Sequence, residues 1–164
     1  MIIDSHQHVM IPASLQLEQM DQAGVQKTIL FATAPHPEQA PGLDGIRREM
    51  ESLHKILAGS HGVNDTCTRL SGNIHALSDR IAQYPQRFLG FGPVPLGLTV
   101  RDTSLWLEQN ILKHGFKGLG EFTPGNDRQM EQLEAVFEAA GDYPRLPLWV
   151  HTFHPVTRSG LDIL

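Results

Sequence analysis

Residues 22–32, QAGVQKTILFA, decide how this chain is read. Gly24 stops a helix, since glycine most easily takes the left-handed turn that ends one. Residues 25–33, VQKTILFAT, follow as a nearly continuous apolar run, the pattern of a parallel strand buried on both faces. The same cadence returns in residues 113–122, KHGFKGLGEF, and in residues 139–152, AAGDYPRLPLWVHT. Helix, glycine and strand in that order are the grammar of β/α units, each helix crossing over to a parallel strand. It is not the self-similarity of a solenoid.

Working outward, residues 2–8 form a first strand on the strength of β-branched Ile2, Ile3 and Val9. Residues 14–23 form a helix with Ser14 as N-cap and Leu17 and Met20 on one face. After the second strand, Leu43, Ile46, Met50, Leu53 and Leu57 make one helical stripe. Residues 58–65, AGSHGVND, break it, and a second helix with Ile74, Leu77 and Ile81 ends before Pro85. RFLGFGPVP, residues 87–95, is the third strand. Asp102 or Thr103 caps a helix bearing Leu105, Ile111 and Leu112, which Gly115 stops. FKGLGEF, residues 116–122, is the fourth strand. Asn126 or Asp127 opens a helix with Met130, Leu133, Phe137 and Ala140 on one side, ending at Gly141. LPLWVHTF, residues 146–153, is the fifth strand, and SGLDIL, residues 159–164, starts another helix. The expected class is α/β: one domain over residues 1–164, with about the first five parallel strands of an eight-stranded (β/α) barrel.

Composition narrows the function. A chain of 164 residues with 40% hydrophobic content builds a real core. Its net charge of −5 leaves no electrostatic footprint for nucleic acid or an anionic membrane. The single cysteine, Cys67, has no internal disulfide partner, suits a reducing compartment, and reads as structural or incidental. No basic segment followed by an apolar run opens the chain, and no stretch is long enough to span a bilayer. A soluble cytoplasmic protein is expected.

Polar residues gather at the carboxyl ends of the expected strands. His6 and His8, in IIDSHQHV, stand at i and i+2 and so point to the same side of a strand, as two ligands of one divalent ion must. Without a metal, two imidazoles held together there repel when protonated and need hydrogen-bond partners when neutral. Asp4 has the same parity one layer deeper and is expected to orient a ligand rather than to be one. Lys117, Leu119 and Glu121 share a parity, which aims Glu121 at the histidine pair and sets Lys117 about 13 Å below the rim. A direct glutamate ligand is therefore preferred to a lysine carbamate. Gly118 and Gly120 leave the opposite face of that strand bare for a helix. His151 ends the fifth strand on the same side as Trp149 and completes a cluster of nitrogen and oxygen donors suited to zinc or manganese. His36 follows the second strand and His154 the fifth. Both are candidates to touch substrate, the alternative being loop histidines. His54, His61, His75 and His114 read as solvated.

IIDSHQHV near the start, GFKGLGE in the middle and LPLWVHT thereafter resemble the amidohydrolase superfamily, in particular its amidohydrolase-related branch of TIM-barrel metal-dependent hydrolases. The resemblance runs in order along essentially the whole chain. It implies that His6, His8, Glu121 and His151 bind one or two divalent ions, zinc first and manganese second. It implies a metal-activated water attacking an amide, ester, lactone or phosphoester of a small-molecule substrate. Decarboxylation or hydration on a similar metal cradle is the alternative chemistry. The family also uses a histidine on strand six and a general-base aspartate on strand eight, positions expected beyond Leu164. A complete barrel takes about 250 residues. The sequence is therefore expected to be the N-terminal portion of an enzyme, inactive alone or able only to bind metal or a partner. A homodimer built on the open sheet edge is a further expectation.

Overall fold

The structure, a computed structural model, describes residues 1–32 and 40–151. His36, His154 and the helix expected over residues 159–164 lie outside the described residues. The elements run β1 (Ile3–His8), α1 (Ala13–Gln22), β2 (Lys27–Phe31), α2 (Gly42–Leu57), α3 (Val63–Gln83), β3 (Phe88–Gly92), α4 (Val100–Trp106), β4 (Gly118–Phe122), α5 (Asp127–Glu131), α6 (Leu133–Ala140) and β5 (Leu148–Val150). All five strands are parallel and lie in the order β1-β2-β3-β4-β5, the order of the first part of a barrel. In a flat sheet, four strand spacings would hold β1 and β5 about 19 Å apart. Here the ring of His6 on β1 lies 5.6 Å from the ring of Trp149 on β5. The sheet is therefore curled into a half-barrel with a concave inner face.

Alternate residues divide between the two faces. Leu30, Phe88, Leu119 and Phe122 join the helix residues Ile74, Leu77, Leu107, Ile111, Leu133 and Val136 in one apolar core. Phe31 and Phe91 turn to the concave side, where their rings stand 5.5 Å apart. Gly90 and Gly92 on β3 admit the core: a Cβ at either position would meet the ring of Phe116, at 2.7 and 2.5 Å.

Two strands depart from regular pairing. Asp4 and Gln7 of β1 pair with Thr28 and Leu30, three steps against two. Leu119 and Phe122 of β4 pair with Leu148 and Val150, again three against two. Each strand therefore holds one extra residue, a β-bulge, which reverses the alternation beyond it. The shared parity expected for Lys117, Leu119 and Glu121 fails for this reason. Leu119 is fully buried on the helix side, Lys117 is exposed, and Glu121 turns to the concave face. The bare face expected at Gly118 and Gly120 receives no helix: Gly118 faces the inside and Gly120 abuts β5. A Cβ on Gly118 would strike the Phe91 ring, and one on Gly120 would stand 2.6 Å from the Trp149 carbonyl oxygen.

Several helix details differ from expectation. α1 starts at Ala13 after an extended Pro12, so Ser14 lies inside its first turn and does not cap it. Thr99 caps α4, its hydroxyl accepting from the Asp102 N–H at 3.1 Å and donating to the Asp102 carboxylate at 2.8 Å. That helix continues as a π-helical turn over Leu107–Leu112. The wider turn buries Leu107 and Ile111 and leaves Leu105 and Leu112 outside. Asn126 caps α5 as expected, accepting from Gln129 N–H at 3.0 Å. Gln132 separates α5 from α6, and α6 buries Val136, Ala139 and Ala140 while Phe137 stays exposed.

Candidate metal centre

The site lies where β1, β4 and β5 end. The bulge in β1 turns Asp4 and Gln7 toward α1 and His6 and His8 toward the concave face. Asp4 accepts from the backbone N–H of His6 at 3.1 Å and from Gln7 Nε2 at 2.7 Å. It thus braces the bend of the strand through its backbone rather than touching an imidazole, and it does not share the histidines' side as the simple alternation implied. Gln16 on α1, a fully buried polar residue, donates to Gln7 Oε1 at 2.8 Å and to the carbonyl of His8 at 2.9 Å. Gln16 is not among the residues expected at the site from sequence. A polar residue between Leu15 and Leu17 at the buried position four before Met20 was the signal for it.

Glu121 reaches the same place by another bulge. Gly120 has φ +128°, a conformation that glycine alone adopts without strain. Beyond it the Glu121 side chain is 8% exposed, an expensive place for a carboxylate without partners. It has three. Its Oε2 lies 3.2 Å from His6 Nε2 and 3.5 Å from His8 Nε2, and its Oε1 lies 2.6 Å from His151 Nδ1. The backbone N–H of His151 donates to the carbonyl of Phe122 at 2.8 Å, which ties the end of β5 to the residue after Glu121. The rings of His6 and His8 are 5.0 Å apart, and His6 stands edge-on to Phe31 at 4.8 Å.

Donor atoms of His6, His8 and Glu121 all lie within 4.8 Å of one another. Two ligands at about 2.1 Å from a tetrahedral cation are separated by about 3.4 Å. The separations of 3.2 and 3.5 Å fit that spacing. The donor set of two imidazoles and one carboxylate fits a divalent transition ion of intermediate softness. His151 stands at the other carboxylate oxygen, outside this trio.

These four residues line one cavity of about 1050 Å³ between the strand ends and the following helices. His61, expected to be solvated, also lines it, as do Arg69 and Asn73 of α3. His61 is nonetheless exposed, whereas His114, also expected to be solvated, is half-buried. It is stacked 5.7 Å from Phe116, its Nδ1 lies 3.1 Å from Ser78 Oγ, and burial, then His75 and Lys113, hold its pKa below the usual histidine value. Burial pushes the Cys67 thiol up, which keeps it protonated and suits a structural role. Among the described residues, no helix is long and apolar enough to cross a membrane.

No family model matches the sequence, and no curated protein matches it. Solved structures do match the fold. A Staphylococcus aureus structure described as an amidohydrolase superposes with TM-score 0.58 at 19% identity, over 96% of this chain and 50% of its own. A 4-oxalomesaconate hydratase from Rhodopseudomonas palustris gives 0.61 at 14%, over 93% and 52%. A 5-carboxyvanillate decarboxylase from Novosphingobium aromaticivorans, solved with bound manganese and a nitrobenzoic acid, gives 0.53 at 23%, over 90% and 39%. The chain spans between about two fifths and half of the length of these structures, and over that part its fold is that of their barrels, incomplete.

Proposed function

We propose that this chain carries the metal-holding part of a metal-dependent hydrolase of the amidohydrolase superfamily, acting on an amide, ester, lactone or phosphoester. One observation carries the reading. A nearly buried carboxylate meets two imidazoles at one oxygen and a third at the other, at the carboxyl ends of parallel strands. His6, His8 and Glu121 would hold a divalent ion, zinc or manganese. Such an ion supplies Lewis acidity toward a substrate oxygen. Glu121 provides the negative charge that keeps the ion in place, and the two bulges preset its direction and that of His6 and His8 before anything binds. His151, bonded to Glu121 Oε1, orients the carboxylate or serves a second ion. Leu53, Leu57 and Leu96 give the cavity an apolar wall against which the ligand's hydrocarbon part can pack.

A second reading keeps the same residues and changes the reaction to decarboxylation or hydration. The solved decarboxylase and hydratase of the same fold favour it. A third is a catalytically incomplete chain that only binds metal or a partner. Calorimetric titration of zinc and manganese into the purified chain, beside Glu121→Gln and His8→Ala, tests the shared metal centre. Micromolar or tighter binding that both substitutions abolish is the expected result. Unchanged binding in either variant overturns it. Product analysis on carboxylated and esterified aromatic substrates then separates carbon dioxide release from hydrolysis.

A further inference from the structure

The cavity has a second polar feature on the wall formed by α3. Thr66, Arg69 and Asn73 recur at three- and four-residue spacing and all face the cavity. Ile74 and Leu77 turn another flank of α3 into the core and fix the helix. Arg69 is half-buried, and burial alone lowers its pKa. Among the described residues it makes no hydrogen bond and no ion pair. Guanidinium groups drawn out of water are ordinarily matched by carboxylates, because the desolvation otherwise goes uncompensated. No match is at hand here. Glu121 is the one carboxylate among the described residues lining the cavity, and its oxygens face His6, His8 and His151. Arg128 adds a second cation to the lining. In a chain of net charge −5, the described residues lining this cavity thus set two guanidinium groups against one carboxylate.

We infer that Arg69 is an oxyanion anchor. It takes the carboxylate or phosphate of a small organic anion, with Asn73 beside it as a hydrogen-bond donor. The rest of the ligand extends toward the cluster of His6, His8 and Glu121. Only this last clause, the ligand's direction, rests on the metal-centre reading. The planar guanidinium offers paired donors to either kind of oxyanion. The substrate class this selects is a small acid rather than a neutral amide or sugar.

The test uses the whole chain, with and without manganese, and three probes: benzoate, phenyl phosphate and the neutral isostere benzamide. Affinities are read by calorimetry and by ligand-observed NMR. At least one anion is expected to bind about tenfold or more tightly than benzamide. Arg69→Gln removes that preference, Arg69→Lys keeps part of it, and Arg101→Gln on the exposed side of α4 leaves it intact. Preference for benzoate assigns the anchored group as a carboxylate, and preference for phenyl phosphate as a phosphate. The melting temperature of Arg69→Gln is expected to hold or rise, since an unmatched half-buried charge is removed; a residue serving the fold would show a fall. Equal binding of all three probes by the wild type overturns the inference. So does an anion preference that survives in Arg69→Gln. If Arg69→Gln does not fold, the residue serves the fold and the inference fails. An Arg69-dependent preference with no metal bound at His6, His8 and Glu121 would leave the anchor standing and remove the metal reading instead.

Discussion

The middle of the sheet and its flanks are built differently. β2 and β3 pair without interruption from Thr28 with Phe88 to Phe31 with Phe91. β1 and β4 each carry a bulge immediately before the residues that converge at the site. Regular pairing gives strict alternation, and alternation serves a core: Leu30 and Phe88 face the helices, and Phe31 and Phe91 fill the inside. A bulge breaks alternation, and that freedom aims a side chain where packing alone would not send it. The central strands hold the fold together. The bulged strands set the direction of His6, His8 and Glu121.

Substitutions separate the two. The largest loss of stability is expected at the centre. Phe88→Ala empties a site that is 1% exposed and should cost about 3–5 kcal/mol in denaturant unfolding. Metal affinity of the molecules that remain folded should not change. Glu121→Gln should do the reverse: metal affinity falls about a hundredfold or more, about 2.7 kcal/mol of binding, while the melting temperature moves little. Gly120→Ala falls between them. Its φ of +128° and the Trp149 carbonyl at 2.6 Å oppose any Cβ, so a loss of about 1–3 kcal/mol is expected. The resulting shift of Glu121 should weaken metal binding together with stability. A variant that loses one without the other would show that the β4 bulge does not position the carboxylate.

The sequence disclosed these regions unequally, for the same reason. The Gly24 stop and the apolar run from Lys27 to Phe31 follow periodic rules, and the structure contains that strand and its parallel neighbours. His6, His8, Glu121 and His151 were legible as residue types at strand ends, and the structure brings them to one cavity. That His6 and His8 share a side was legible from period two; that Asp4, Lys117 and Leu119 do not share the side of the site was not, because an extra residue in β1 and another in β4 shift the count. Gly120 carried a local signal, an isolated glycine within a strand pattern. The β1 bulge carried none, and its brace, Gln16, gains its role only when α1 folds back on the strand. The π-helical turn at Leu107–Leu112 displaced the α4 stripe in a similar way, exposing Leu105 and Leu112.

Smaller effects sharpen the picture. Gln16→Ala removes donors to the His8 carbonyl and to Gln7 and should cost about 1–2 kcal/mol. Its metal affinity should fall by up to about tenfold, as expected for a group that orients a ligand. The smallest effect is a pH dependence far from the site. His114 has a lowered pKa in the folded state, so the unfolded chain takes up its proton first as pH falls. Its contribution to stability is present above the ordinary histidine pKa of about 6.5 and is lost below it, down to the folded value. His114→Gln should flatten that slight acid slope in melting temperature while leaving metal binding unchanged.

The central claim is that two bulged strands deliver His6, His8 and Glu121 to a single cation. Crystals soaked in manganese and measured at a wavelength where manganese scatters anomalously test it most directly. The account predicts an anomalous peak within about 2.0–2.3 Å of the Nε2 atoms of His6 and His8 and of Glu121 Oε2, lost in Glu121→Gln. A fully soaked crystal with its peak elsewhere, or with none at these three side chains, would contradict it.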